Sequence, residues 1–461
     1  MQARISSEGM NRTCTPRLDG DILNRLWAYT DLFRPDFRFR RQAAWAAVYL
    51  RALLQDGERK SIEPMVQRVP LPPDLLVRDP VQALQNFVNQ SSWDEQKVWK
   101  RYRAHMAKTF ANPHAIFIVD DTSFPKDGAH SVGVQRQYCG ALGKKDNCQC
   151  AVSLHYVGIR GHFPLALRLY LPESWLADPV RLDKAGVPGE SRRFQTKGEI
   201  ALDLLDQVRG EGLPGQIVVT DAGYGVSQDL RDRLAARGLY FVAGVTEEFV
   251  VFTAPPSWVL PAPRGRGRPR TRPRLAEDNP HPESVGALAR RLPRQLLSWR
   301  EGTKGALSAR FSWDRVWPAQ GWEDGDCAGA EPVWLLIEEQ ADGQLKYAFS
   351  NLPAETPLSE GVVYWKSRWP VEQGYQQMKS ELGLDHFEGR SWRGLHHHAC
   401  LVMLAFGFLA LERHRAAPAP MMLPDKESEA EEGGMGGDGK RGRTSRRSPC
   451  SRTAASWCSS R

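Results

Sequence analysis

The sequence predicts an α/β protein: a mixed sheet flanked by helices, interrupted by a β-rich insertion and preceded by an α-helical N-terminal domain. Three observations predict this class. Helical periodicity runs from Asp21 to about Ala111. At Ala115 it gives way to short apolar β-type runs that alternate with helices. Between Val245 and Phe349 a strand-rich stretch with a basic segment breaks that alternation.

Residues 1–20 are polar and are expected to be disordered. In residues 21–111, Phe37 to Leu54 places Trp45, Val48, Tyr49 and Leu53 at helical spacing, with Arg38, Arg40, Arg41 and Arg51 around them. Ser61-Ile62-Glu63-Pro64 opens a second helix, Pro80 to Val88 forms a third, and Asp94 to Phe110 a fourth. The fourth is dense in Lys97, Lys100, Arg101, Arg103 and Lys108. A DNA-reading helix-turn-helix and a plain structural bundle both fit this stretch.

Residues 115–244 read as the first part of the core. The run Ala115-Ile116-Phe117-Ile118-Val119 ends in Asp120-Asp121-Thr122. Strands Cys148 to Val157 and Phe163 to Tyr170 are joined around Gly158 and Gly161. A helix from Lys197 to Val208 follows, then a strand from Gln216 to Thr220 that ends in Asp221, a helix from Gln228 to Ala236 and a strand from Leu239 to Ala243. Residues 245–349 read as the insertion. Arg264 to Arg274 sets six arginines among Gly and Pro, and Val333 to Ile337 and Leu345 to Phe349 flank the hairpin signal Asp342-Gly343.

Residues 350–415 close the core. Pro370 suits a first helical turn, so it opens a helix carrying Glu372 and Lys379, with Arg368 on the turn before it and Gly383 as C-cap. On a helical wheel Trp365, Arg368, Glu372, Tyr375 and Lys379 share one arc. A buried helix is expected from His396 to Leu411. Residues 418–461 are of low complexity, acidic and then basic, and are expected to be disordered.

A net charge of +8 and a pI near 9.1, with the basic residues bunched, point to a polyanionic partner. No apolar run reaches eighteen residues and no secretory signal opens the chain, so no membrane association is expected. The eight cysteines lack disulfide-framework spacing, which suits a reducing cytoplasm. Cys139, Cys148, Cys150 and His155 have no second matching pair and read as buried free groups before they read as zinc ligands. His396, His397 and His398 diverge around a helix, and no phosphate-cradling glycine loop supports a nucleotide cofactor.

Three acids remain at positions suited to chemistry: Asp120 or Asp121, Asp221 and Glu372. Asp221-Ala222-Gly223 also reads as a simple turn, and Glu372 as one rung of a surface salt-bridge ladder. Adjacent carboxylates after an apolar strand repel, so one of Asp120 and Asp121 points inward. Alternation from Ile118 leaves open which one, and Asp127 is a competitor.

The spacing aromatic-x2-Arg-x3-Glu-x6-Lys at Trp365, Arg368, Glu372 and Lys379 resembles the signature around the last catalytic acid of DDE-type insertion-sequence transposases. Trp365 stands where that signature usually has Tyr, with Tyr364 one residue early. The element order likewise resembles the ribonuclease-H-like fold, and some members carry a β-rich insertion before the last acid. The resemblance implies that Asp121 (directly before Thr122), Asp221 and Glu372 are catalytic and bind Mg²⁺ or Mn²⁺. Two ions are implied, roughly 3.5–4 Å apart. It also implies that Arg368 and Lys379 contact phosphate. Tyr375 and Trp365 suit stacking on an unpaired base, with core packing an equal reading for Trp365, and Lys126, on the loop after the first acid, is expected to touch DNA.

Arg266-Gly267-Arg268-Pro269 resembles the core of an AT-hook, which would set Arg266 and Arg268 in the minor groove; general phosphate contact and an unstructured linker are the alternative readings of this short motif. The implied partner is double-stranded DNA, at the element's terminal repeats and the target. The implied assembly is a homodimer or higher oligomer, and the implied setting a bacterial cytoplasm at the nucleoid. The rival readings are an inactive DNA-binding protein and a structure-specific nuclease without strand transfer.

Overall fold

The structure is a computed structural model that describes residues 20–260, 272–302 and 305–416. Five helices come first: α1 (Ile22–Asp31), α2 (Arg40–Leu54), α3 (Ile62–Arg68), α4 (Pro80–Asn89) and α5 (Glu95–Phe110). Side chains set their boundaries. The Asp79 carboxylate accepts the Gln82 N–H at the start of α4, where Pro80 occupies the first turn, and Asp94 accepts from Gln96 in α5.

The sheet begins with β1 (Ile116–Pro125), β2 (Gln135–Cys139), β3 (Lys144–Gly158) and β4 (Gly161–Leu169). Next come α6 (Lys197–Gly210), β5 (Ile217–Thr220), α7 (Ala222–Gly225), α8 (Gln228–Ala235) and β6 (Tyr240–Val245). Thr196 and Glu199 start α6 with a reciprocal capping box. The core strands lie in the order β4-β3-β1-β5-β6. Pairing is antiparallel from β4 to β1 and parallel from β1 through β5 to β6. This is a ribonuclease-H-like mixed sheet flanked by helices.

Residues after β6 extend the same sheet. β7 (Val250–Phe252), β8 (Gln295–Gly302), β9 (Gly305–Pro318), β10 (Val333–Glu339) and β11 (Leu345–Ser350) follow in sequence. β11 pairs antiparallel with β6, β10 with β11, β9 with β10, and both β8 and β7 with β9. The stretch expected as an insertion is thus hydrogen-bonded onto the core edge through β11. Gly343 turns the β10–β11 hairpin at φ +84°, a conformation glycine adopts without a Cβ penalty.

Three helices finish the described chain: α9 (Leu358–Lys366), α10 (Trp369–Ser380) and α11 (Trp392–Ala416). Both faces of the sheet are covered, which is why β1 starts with five buried residues in a row instead of alternating. On one face Phe117 and Val119 join a core shared with α1 to α6 and α11. On the other, Ile116 and Ile118 pack with Val362, Trp365 and Val371 of α9 and α10.

The α1–α5 helices share their core with the sheet, because α11 lies between them and contacts α2, α4, α5 and β4. By length and composition α11 could cross a membrane, but 89% of its apolar window is buried inside the protein. Its three histidines point in different directions and have separate partners. His396 meets the Leu169 N–H, His397 the Val88 carbonyl, and His398 both Tyr49 and the Gly383 carbonyl. Cys139, Cys148 and Cys150 are free and buried.

Candidate active site

β1 and β5 run parallel in register up to Val119↔Thr220, so the next step sets Asp120 beside Asp221. Asp120 is 9% exposed. Burial first, then the charges of Asp221 and Asp121, push its carboxyl up to about 7, against the opposing pull of Arg368. Arg368 Nη2 lies 3.4 Å from Asp120 Oδ2 and 3.9 Å from Glu372 Oε1, so one guanidinium stands between two of the acids. The Glu372 side chain is 62% exposed.

Asp121 lies on the opposite side of β1. Its carboxylate pairs with Lys197, the first residue of α6. Asp120, and not the expected Asp121, therefore shares a face with Asp221 and the Glu372 helix. The reason is strand alternation: Ile116, Ile118 and Asp120 face α10, whereas Phe117, Val119 and Asp121 face α6. Sequence reasoning missed Lys197, because its partner lies 76 residues away. The capping box that ends the preceding loop was its visible signal.

Asp221 caps α7, accepting the Tyr224 N–H at 3.3 Å. Two glycines fix this turn against the sheet. A Cβ on Gly244 would come 2.6 Å from the Ala222 nitrogen, and one on Gly225 would overlap the Gly244 carbonyl. Gly225→Ala is expected to lower stability by about 1–3 kcal/mol through overpacking and to shift Asp221. A lowered urea midpoint checks this.

Arg368 occupies the N-cap position of α10, with Pro370 in the first turn. The chain breaks between Lys366 and Trp369, so the single helical arc ending at Trp365 is corrected. Trp365 belongs to α9, is 8% exposed and donates its indole N–H to Glu338 Oε2 at 2.7 Å. It is a core residue that ties α9 to β10, and no base can stack on it. Tyr375 also turns inward: its hydroxyl bonds Ser153 Oγ and its ring stands edge-on to His155 at 5.2 Å.

The lysines are anchored on backbone. Lys379 Nζ donates to the Ser123 carbonyl at 3.0 Å and Lys126 Nζ to the Phe387 carbonyl at 2.8 Å. Burial lowers both pKa values. Lys126 also lines an open cleft of about 650 Å³ with Arg59, His130, Asp385 and Arg390. Arg266 and Arg268 lie outside the described residues.

As donors, Asp120 and Asp221 offer adjacent carboxylate oxygens, one of them desolvated, which suits a hard divalent cation. Among the described residues no three His, Cys, Asp or Glu side chains converge as a complete ligand group. Arg368 keeps Glu372 apart from the aspartates.

A buried acid at the end of the first core strand, a second acid at the adjacent parallel strand and a glutamate-bearing helix thus lie on one face of a sheet of the ribonuclease-H-like class. Residues 32–306 match the family model described as DDE superfamily endonuclease, and the chain belongs to that superfamily. It is 26% identical over 335 residues to the probable transposase for insertion sequence element IS701 of Microchaete diplosiphon, covering 72% of this chain and 73% of that protein. The matched family segment contains Asp120, Asp121 and Asp221 and stops before Glu372.

Proposed function

We propose that this chain is an insertion-sequence transposase. It binds the double-stranded terminal repeats of its element, hydrolyses a phosphodiester at each end, and joins the freed 3′-hydroxyl to target DNA. The observation that carries the reading is Asp120, buried beside Asp221 on the face covered by the Arg368–Glu372 helix. The superfamily match and the similarity to a probable transposase support it.

Asp120, Asp221 and Glu372 would hold Mg²⁺ or Mn²⁺, with Asp121 next to the site. Bound divalent ions, two of them by the family resemblance, supply charge neutralisation at the phosphate and a more acidic attacking hydroxyl. The other residues bind and position. Arg368 already serves as the counter-charge for Asp120 and can turn its planar fork to a phosphate. Lys379 and Lys126 place positive charge at the end of β1, and Arg266 and Arg268 contact the minor groove. Cutting two ends together calls for a dimer or higher oligomer.

Two assays test the reading. The purified chain should nick a supercoiled plasmid carrying the element ends in Mg²⁺, and a chelator should stop it. Given a pre-cleaved end with a free 3′-hydroxyl, it should produce joined products. Nicking without joining would leave a structure-specific nuclease. DNA binding with neither would leave a binding protein only.

A further inference from the structure

Ser153 and His155 interrupt an otherwise apolar stretch of β3. They stand opposite Asp120 and Ile118, so their side chains share the face of β1 that α10 covers. Both are buried, at 2% and 1% exposure, and buried polar groups take partners. His155 Nε2 lies 3.0 Å from Ser153 Oγ, and the Tyr375 hydroxyl bonds the same oxygen. A serine hydroxyl carries one hydrogen and two lone pairs, so it can join both at once.

Tyr375 belongs to α10, three residues after Glu372, and its ring stands edge-on to His155. Beside it Gly374 lets the helix come close to β4: a Cβ there would lie 3.3 Å from His162 Nε2. The phenol is therefore a rigid strut. It runs from the helix that carries Glu372 to the strand position facing Asp120.

Two further hydrogen bonds tie α10 to the strands, from Arg368 to Asp120 and from Lys379 to the Ser123 carbonyl. Both donors are cations, and an arriving phosphate competes for each of them. The Tyr375–Ser153 bond is neutral and lies inside the protein, so phosphate has no claim on it.

We infer that Tyr375 is a positioning residue for strand cutting: anchored on Ser153 and His155, it keeps Glu372 facing Asp120 while Arg368 and Lys379 turn to DNA. The inference rests on the transposase reading and deepens it.

The test follows Mn²⁺ binding by the intact chain on a pre-cut duplex from the DNA bordering the coding sequence. The duplex lacks its 3′-hydroxyl, so neither cutting nor joining proceeds, and the resonance of free Mn²⁺ reports binding. Tyr375→Phe removes one oxygen and should weaken Mn²⁺ binding about 10–100-fold, with a similar fall in single-turnover plasmid nicking. Its affinity for the duplex in chelator should change less than about twofold. Ser153→Ala should behave alike, and the double variant should lose no more than either single one, because all three remove the same bond. Ser153→Thr keeps a hydroxyl and should retain most of the binding, which excludes a folding defect.

Mn²⁺ binding by Tyr375→Phe equal to that of the intact chain would overturn the strut, as would single losses that multiply in the double variant. Either result beside normal nicking by the intact chain leaves the transposase reading standing. If Tyr375→Phe loses Mn²⁺ binding but the intact chain nicks no DNA, the strut holds and the transposase reading fails. If the intact chain on DNA binds no Mn²⁺, both fail.

Discussion

Asp120→Asn should reduce plasmid nicking by at least about a thousandfold, whereas Asp121→Asn should cost about tenfold or less. Removing a group that carries transition-state charge typically costs about 10²–10³ or more, and a neighbour acting through packing costs far less. The contrast follows from side-chain direction. Asp120 lies on the face of Asp221 and Arg368, while Asp121 is turned to Lys197 on α6. Asp221→Asn and Glu372→Gln should match Asp120→Asn. Single-turnover nicking rates, with circular dichroism to confirm folding, decide the matter. A dead Asp121→Asn beside an active Asp120→Asn would reverse the assignment.

Stability should fall steeply on acidification below about pH 6.5. Burial holds His155 and His162 down to about 3, and His396 and His398 down to about 4. The hydrogen bonds of His396 and His398 fit neutral rings: each has one nitrogen facing a carbonyl and the other facing an N–H or hydroxyl. The unfolded chain binds protons below its ordinary histidine pKa while the folded chain does not. Stability therefore rises with pH between about 4 and 6.5 and is lost as pH falls through that window.

Each such histidine contributes about 1.4 kcal/mol per pH unit, so four together can exhaust a margin of about 5–15 kcal/mol within two to three units. Asp120, raised to about 7, acts in the opposite sense as a single group. Urea midpoints measured from pH 7 to pH 4.5 should fall continuously. A flat profile would show that these rings are already charged in the folded protein.

The core strands were legible because their signals are local. Ile116 to Val119 is a continuous apolar run, and Pro370 marks the start of α10 wherever the rest of the chain goes. The direction of Asp120 and Asp121 was not legible, since it depends on which helix covers which face, and α6 and α10 lie far along the chain. Trp365 misled for a related reason. A helical wheel assumes one unbroken helix, and the break at Ser367-Arg368 removes Trp365 from the arc. Lys197 and Glu338 carried no motif; the packing of a helix on the sheet places the first, and strand pairing the second.

The burial of α11 among α2, α4 and α5 has a consequence for biosynthesis. A ribosome delivers the five leading helices long before their central member, so until residue 416 emerges the sides of α2, α4 and α5 that pack on it stay uncovered. An isolated fragment ending near residue 111 would expose those sides and aggregate. The nascent protein completes its fold only after both the acid-bearing strands and the Glu372 helix have been synthesised.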